Sequence, residues 1–330
     1  MIKSITFLTQ AGTTLPSVRF RVIPYVQEWQ KNGIQTQYFR IPKTVFKRIP
    51  FYISLPFSNI IIIQKKLLSK IELSILRTKT KKLCFDFDDA IWTNHPSVKV
   101  TPKILQKNIK NKHRLQTIAQ KADLIICGNN YLKQAIKKDA QKILVLPTPI
   151  DTKKYHPIFQ RQKSSKLIVG WIGTNTNLYF LKKILPFILN IKGIQLKIIT
   201  NKITIALPDT IIYEKWNAKF EVEQICSLDI GLMPLTDDPY TQGKCGFKIL
   251  QYMACGVVPI ASSIGFNQEI ISHGQNGFLV NKVSEWPYYI ELLKNYQKRQ
   301  KMALKARETV KKNFDLSVCS KKFLHTLNQL

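Results

Sequence analysis

The chain has 330 residues, 45% of them hydrophobic and 22% charged, ordinary globular values that exclude wholesale disorder and fit two domains. Lys plus Arg number 51 against 20 Asp plus Glu, a net charge of +31, and residues 1–165 hold 30 of the basic but only 8 of the acidic residues. A basic front half favours an anionic partner (nucleic acid, an acidic lipid surface or a phosphorylated ligand), the plain alternative being solvated lysines in a Lys- and Ile-rich chain.

In chain order, MIKSITFLTQAG breaks its apolar run too early for a secretory signal and reads as a first strand over Ser4–Leu8. Further strands are expected at Gln35–Phe39, Asn59–Ile63, Lys82–Phe85, Leu124–Cys127 and Ile143–Leu146, with helices over Val18–Asn32 and Pro102–Lys121. The apolar stretch Ile49–Ile63 is too short and too interrupted by Pro50, Pro56 and polar residues to span a bilayer. Prolines and polar residues interrupt the periodicity over 147–166, which sets a domain boundary near residue 160. The pattern then restarts with strands at Leu167–Trp171, Leu196–Ile199, Thr210–Tyr213, Ile230–Met233, Val258–Ala261 and Gly277–Val280, and residues 285–330 read as helical. The fold class is therefore α/β, two doubly wound Rossmann-like domains, 1–160 and 161–330. Six dispersed cysteines without a C-x-x-C pair imply a reducing compartment, hence a cytoplasmic protein, with peripheral membrane attachment left open.

Ligands of such sheets bind at the carboxyl ends of the strands, where loops lead into helices. The loop after the first strand carries Gly12 and Ser17, with Arg19 in the helix that follows, and the loop opening the second half carries Gly173 and Thr174. Either loop is suited to a phosphate or polar ligand, and either reads equally as a plain turn. A loop at 243–246 then opens a helix over Phe247–Ala254, ended by Cys255-Gly256. Lys244 and Lys248, four apart, are read as two cations on one face of its first turn, where the helix dipole disfavours them unless an anion binds. The alternative is that both are solvated. Asp86-Phe87-Asp88-Asp89 follows a strand, and Asp88 and Asp89 are open to a catalytic role or to capping a helix. The five histidines do not cluster, His95 being the best placed for a role in catalysis.

The stretches DIGLMPL, GKCGFKILQYMACGVVPIAS and HGQNGFLV resemble the donor-binding half of the family 4, or group 1, glycosyltransferases of the GT-B fold. SVRFRVIPYVQEWQKNGI, LCFDFDDAIW, LPTPIDTKKY and GWIGTNTNLYFL extend the resemblance in the same order. It implies two domains facing a central cleft and sugar transfer, with retention, from a nucleotide diphosphate sugar on the second domain to a saccharide or lipid-linked acceptor on the first. It further implies that the final helix crosses back to the first domain and that no metal or other cofactor is needed. Its donor-binding set would be Gly173, Thr174, Lys244, Gly246, Phe247, Lys248 and Gln251. Asp88 and Asp89 would act on the acceptor or the anomeric carbon, and Gly12, Ser17 and Arg19 would form an acceptor or phosphate loop. Where many relatives carry two glutamates eight residues apart, this chain has Gly243 and Gln251. That departure leaves a catalytically weakened relative as one alternative, and the +31 charge leaves a nucleic-acid-binding protein as another.

Overall fold

The computed structural model describes residues 2–157, 166–203 and 208–330. It divides into two compact units: Met1–Pro149 with Gln242–Cys245 and Leu316–Leu330, and Ile150–Thr241 with Gly246–Asp315. The division falls at Ile150; residue 160, where the sequence places the boundary, lies outside the described residues.

In the first unit β1 (Ser4–Thr9), β2 (Gln35–Arg40), β3 (Ser58–Gln64), β4 (Thr80–Phe87), β5 (Leu124–Cys127) and β6 (Ile143–Val145) form one parallel sheet, in the order β2-β1-β3-β4-β5-β6. The Ile60–Ile63 run of β3 is fully buried, as a central parallel strand covered on both faces requires. The expected helix over Val18–Asn32 is instead two, Pro16–Arg21 and Ile23–Lys31, because Pro24 has no N–H with which to continue the first. Helix Lys70–Arg77 starts on a capping box in which the Ser69 hydroxyl accepts from Glu72 N while Glu72 accepts from Ser69 N. Helix Pro102–Lys121 starts on a Thr101 cap with proline at its first position.

Helix Leu316–Asn328 belongs to this first unit. Its Cys319, Phe323 and Leu327 join the core of Phe7, Tyr25 and Trp29, the Phe323 ring meets those of Tyr25 and Trp29 edge-on at 5.2 Å, and Trp29 Nε1 donates to Ser320 Oγ at 2.8 Å.

In the second unit β7 (Leu167–Ile172), β8 (Ile194–Thr200), β9 (Ile212–Lys215), β10 (Ile230–Met233), β11 (Val258–Ser262) and β12 (Phe278–Val280) make a second parallel sheet, in the order β12-β11-β10-β7-β8-β9. The third strand begins later than Thr210 because Ile211 N donates to Pro208 O in a turn. Counted from β7, this is the 3-2-1-4-5-6 arrangement, with its direction change between β7 and β10. The core gathers Val169, Trp171, Ile230 and Ile260 from the strands with Leu181, Ile184, Trp286 and Ile290 from the helices. No helix among the described residues is long and apolar enough to cross a membrane.

Candidate functional site

In the second unit the β7–β10 ladder is confined to Val169↔Ile230 and Gly170↔Gly231. Past it the fully buried Tyr252 bridges the two strands, its hydroxyl accepting from Ile172 N at 3.1 Å and donating to Leu232 O at 3.3 Å. Burial pushes that hydroxyl's pKa up, which keeps the proton it donates. Tyr252 thereby fixes helix Phe247–Ala254 against the strand ends at the direction change, where ligands of this architecture bind.

The strand end there is Gly173, whose N–H donates to Ile199 O. A Cβ at Gly173 would stand 2.5 Å from the Trp171 ring and 2.7 Å from Lys248 Nζ, so only glycine lets the backbone pass this close. Lys248 Nζ lies 4.6 Å from the Trp171 ring centroid, a cation–π contact that holds the ammonium beside the Gly173 loop. Thr174 closes that loop by accepting from Asn177 Nδ2 at 3.1 Å. Gly246 adopts a left-handed φ of 58° immediately before the helix, and its missing Cβ leaves room for Ile270 Cδ1. Phe247 follows it, half-buried, as the first helical residue.

Gln251 is buried and donates from Nε2 to the Tyr155 hydroxyl at 3.4 Å. Tyr155 in turn donates to Glu221 Oε2 at 2.5 Å, and Trp216 Nε1 donates to Glu221 Oε1 at 2.9 Å. A carboxylate therefore stands two hydrogen bonds from Gln251. No local pattern signals it, since Tyr155 and Glu221, 66 residues apart, meet only in the folded unit.

Lys244 departs from the expected placement. The helix begins at Phe247, so Lys244 precedes it and shares no helix face with Lys248. It belongs to the segment Gln242–Cys245 of the first unit, where Asn129 Nδ2 donates to the carbonyls of Gln242 at 3.2 Å and Lys244 at 3.0 Å.

In the first unit the acidic run after β4 is tied down by cations. Arg21 reaches both carboxylate oxygens of Asp86 through Nε at 2.9 Å and bonds Leu146 O at 2.8 Å. Lys65, at the end of β3 with a strained φ of 57°, pairs with Asp88 Oδ1 at 2.6 Å and also with Asp89. Burial alone would raise the Asp88 carboxyl, but Lys65 and Arg21 outweigh it and hold the group below the ordinary carboxylate range. Neither aspartate caps a helix, because the next helix starts at Pro102 under Thr101. Both are salt-bridged to a lysine that sequence reasoning did not single out, although its place straight after β3 was a signal.

Of the first-loop residues, Gly12 O accepts from Leu15 N, and Ser17 Oγ is buried without a hydrogen-bond partner among the described residues while its carbonyl accepts from Gln64 Nε2. The Arg19 guanidinium lies 4.4 Å from the Phe20 ring centroid. The structure thus brings Gly173 and Lys248 together and sets Gln251 one helical turn further along. Gly12, Ser17 and Arg19 belong to the first unit. His95 closes a local turn, Nδ1 accepting from Ser97 N at 3.2 Å. No cluster of three His, Cys, Asp or Glu side chains with metal-holding spacing occurs among the described residues.

Residues 167–295 match the family model described as glycosyl transferases group 1. An 87-residue segment is 34% identical to a GDP-Man:Man(3)GlcNAc(2)-PP-Dol alpha-1,2-mannosyltransferase of Dictyostelium discoideum, covering 26% of this chain and 17% of that relative's length. Among solved structures, Anabaena HepE in complex with UDP and glucose superposes with a TM-score of 0.75 at 15% identity, over 99% of this chain and 100% of that one. Sucrose-phosphate synthase from Thermosynechococcus elongatus gives a TM-score of 0.78 at 14% identity, over 99% and 98%. The two six-stranded parallel sheets are the two Rossmann-like domains of a GT-B fold. The group 1 glycosyltransferase domain thus spans residues 167–295, most of the described second sheet and its helices.

Proposed function

We propose that this protein transfers a sugar, with retention at the anomeric carbon, from a nucleoside diphosphate sugar to a saccharide or lipid-linked acceptor. The setting we assign is cell-surface polysaccharide or glycolipid synthesis at the cytoplasmic side of a membrane. The observation that carries the donor reading is the Lys248 ammonium fixed beside the Gly173 loop at the strand-direction change of the second sheet. The UDP bound by HepE supports a nucleotide diphosphate as the ligand.

In this reading Gly173, Thr174, Gly246, Phe247 and Lys248 surround the diphosphate, and Gln251 meets the nucleoside or sugar hydroxyls. Breaking the bond between the anomeric carbon and the β-phosphate oxygen leaves negative charge on that oxygen, which Lys248 and the loop N–H groups stabilise as it develops. The acceptor oxygen bonds to the anomeric carbon, and its proton passes to the departing β-phosphate oxygen. Asp88 and Asp89, on the first unit, orient the acceptor with Lys65 holding their geometry. None of these residues calls for a metal or other cofactor.

The test is titration calorimetry with UDP and UDP-glucose, followed by screening of other nucleotide sugars. Lys248→Ala is expected to weaken nucleotide binding by about tenfold or more, since a bond to a charged group contributes about 1.5–3 kcal/mol. Unchanged affinity removes Lys248 from the site and the donor reading with it.

A further inference from the structure

A cavity of about 540 Å³ opens in the first unit between the start of helix Lys70–Arg77 and one face of helix Pro102–Lys121. Its walls include Leu68 and Ile109, and its rim carries Lys70, Lys110, His113 and Arg114. Positions 106, 110, 113 and 117 recur at helical spacing, so a single face of the long helix supplies most of the lining. That helix has six Lys or Arg residues and no Asp or Glu, leaving its cations without acidic neighbours along its own length. Among the described residues Lys70, Lys110 and Arg114 form no ion pair.

Glu72, the nearby acid, is already engaged by Arg48 at 3.4 Å, the Tyr52 hydroxyl at 3.3 Å and Ser69 N at 2.7 Å. The adjoining Lys66 records the crowding: burial, then Arg48 and Arg114, hold its ammonium below the ordinary lysine value. Apolar surface continues from the rim, with Ile109 51% exposed and Leu105, one turn earlier on the same helix, 53% exposed. Cations gathered without carboxylates ask for an anion, and apolar walls beside them ask for hydrocarbon.

We infer that this cavity binds a phosphate or diphosphate carried on a hydrocarbon chain, with Lys70, Lys110 and Arg114 on the anion and Leu68, Leu105 and Ile109 along the chain. The site lies wholly within the first unit and does not depend on the sugar-transfer reading.

The test uses the full-length chain in titrations with farnesyl diphosphate, inorganic pyrophosphate and farnesol, each with saturating UDP to occupy any nucleotide site. Farnesyl diphosphate is expected to bind more than about tenfold more tightly than either fragment, as a two-part site requires. K110E/R114E should weaken that binding by about tenfold or more, and the milder K110Q/R114Q by less, with thermal unfolding unchanged in both. K31E/K121E makes the same change in charge at exposed residues that do not line the cavity and should leave binding as it was. Equal loss in that control reduces the effect to bulk charge and overturns the site. Pyrophosphate binding as tightly as farnesyl diphosphate, or no binding by either, overturns it as well. UDP affinity is expected to persist in K110E/R114E and amphiphile binding in Lys248→Ala, so failure of either reading is seen separately.

Discussion

The first sheet changes direction between β1 and β3, the second between β7 and β10, and the two units furnish these strand ends differently. In the first, the cations beside the strand ends are locked onto carboxylates: Arg21 on Asp86, Lys65 on Asp88 and Asp89. In the second, the cation is laid on an aromatic ring next to a glycine that has no room for a side chain. The same winding rule thus yields one end stiffened by internal ion pairs and one shaped around a backbone loop. Topology locates a site, and the side chains decide whether charge there is spent internally or offered to a ligand.

The contrast is broken most severely at Lys65. Lys65→Ala leaves buried carboxylate without its partner and should destabilise the first unit by about 3–5 kcal/mol in denaturant unfolding. The triple change K65M/D88N/D89N should recover much of that loss. An unaltered midpoint in Lys65→Ala would show that the charges there are idle.

The two loop glycines sharpen the comparison next. Gly173→Val should weaken UDP binding by about a hundredfold, roughly 2.7 kcal/mol, because its Cβ alone collides with Trp171 and Lys248. Gly12→Val should leave it untouched, since nothing lies within 4 Å of a Cβ built there. Matching losses in calorimetry would mean the loops do not differ as described. A smaller effect is expected at Ser320→Ala, about 1 kcal/mol for the lost bond from buried Trp29, read as a lower midpoint of the first unit.

The last test is acid. Asp88 has its folded value depressed, so the stability it contributes is present above the unfolded carboxylate value near about 3.9 and disappears as pH falls through the lower folded value. Urea midpoints of Asp88→Asn should therefore lie below those of the unsubstituted chain at neutral pH, with the gap narrowing toward about pH 2. A gap that widens in acid would contradict the assigned direction.

Much of this architecture was written locally. Runs such as Asn59–Ile63 and Leu124–Cys127 are bounded by polar or turn residues, and helix Pro102–Lys121 carries its own proline start, so each was readable at its place in the chain. Helix Val45–Ser54 was hidden because Pro50 sits inside it and looks like a breaker. The Gly173 and Lys248 motifs were each visible, but their meeting depends on Tyr252 tying the helix to two strand ends. The Lys65–Asp88 and Gln251–Tyr155–Glu221 contacts join distant segments, and nothing in local periodicity encodes such partners.

Helix Leu316–Asn328 bears on how the chain is made. The ribosome delivers the whole second unit before it delivers Phe323 and Leu327, so the hydrophobic centre around Tyr25 and Trp29 stays unsealed through most of synthesis. The nascent front unit would thus present aromatic surface to chaperones until the late segment docks, and the second unit is free to mature first.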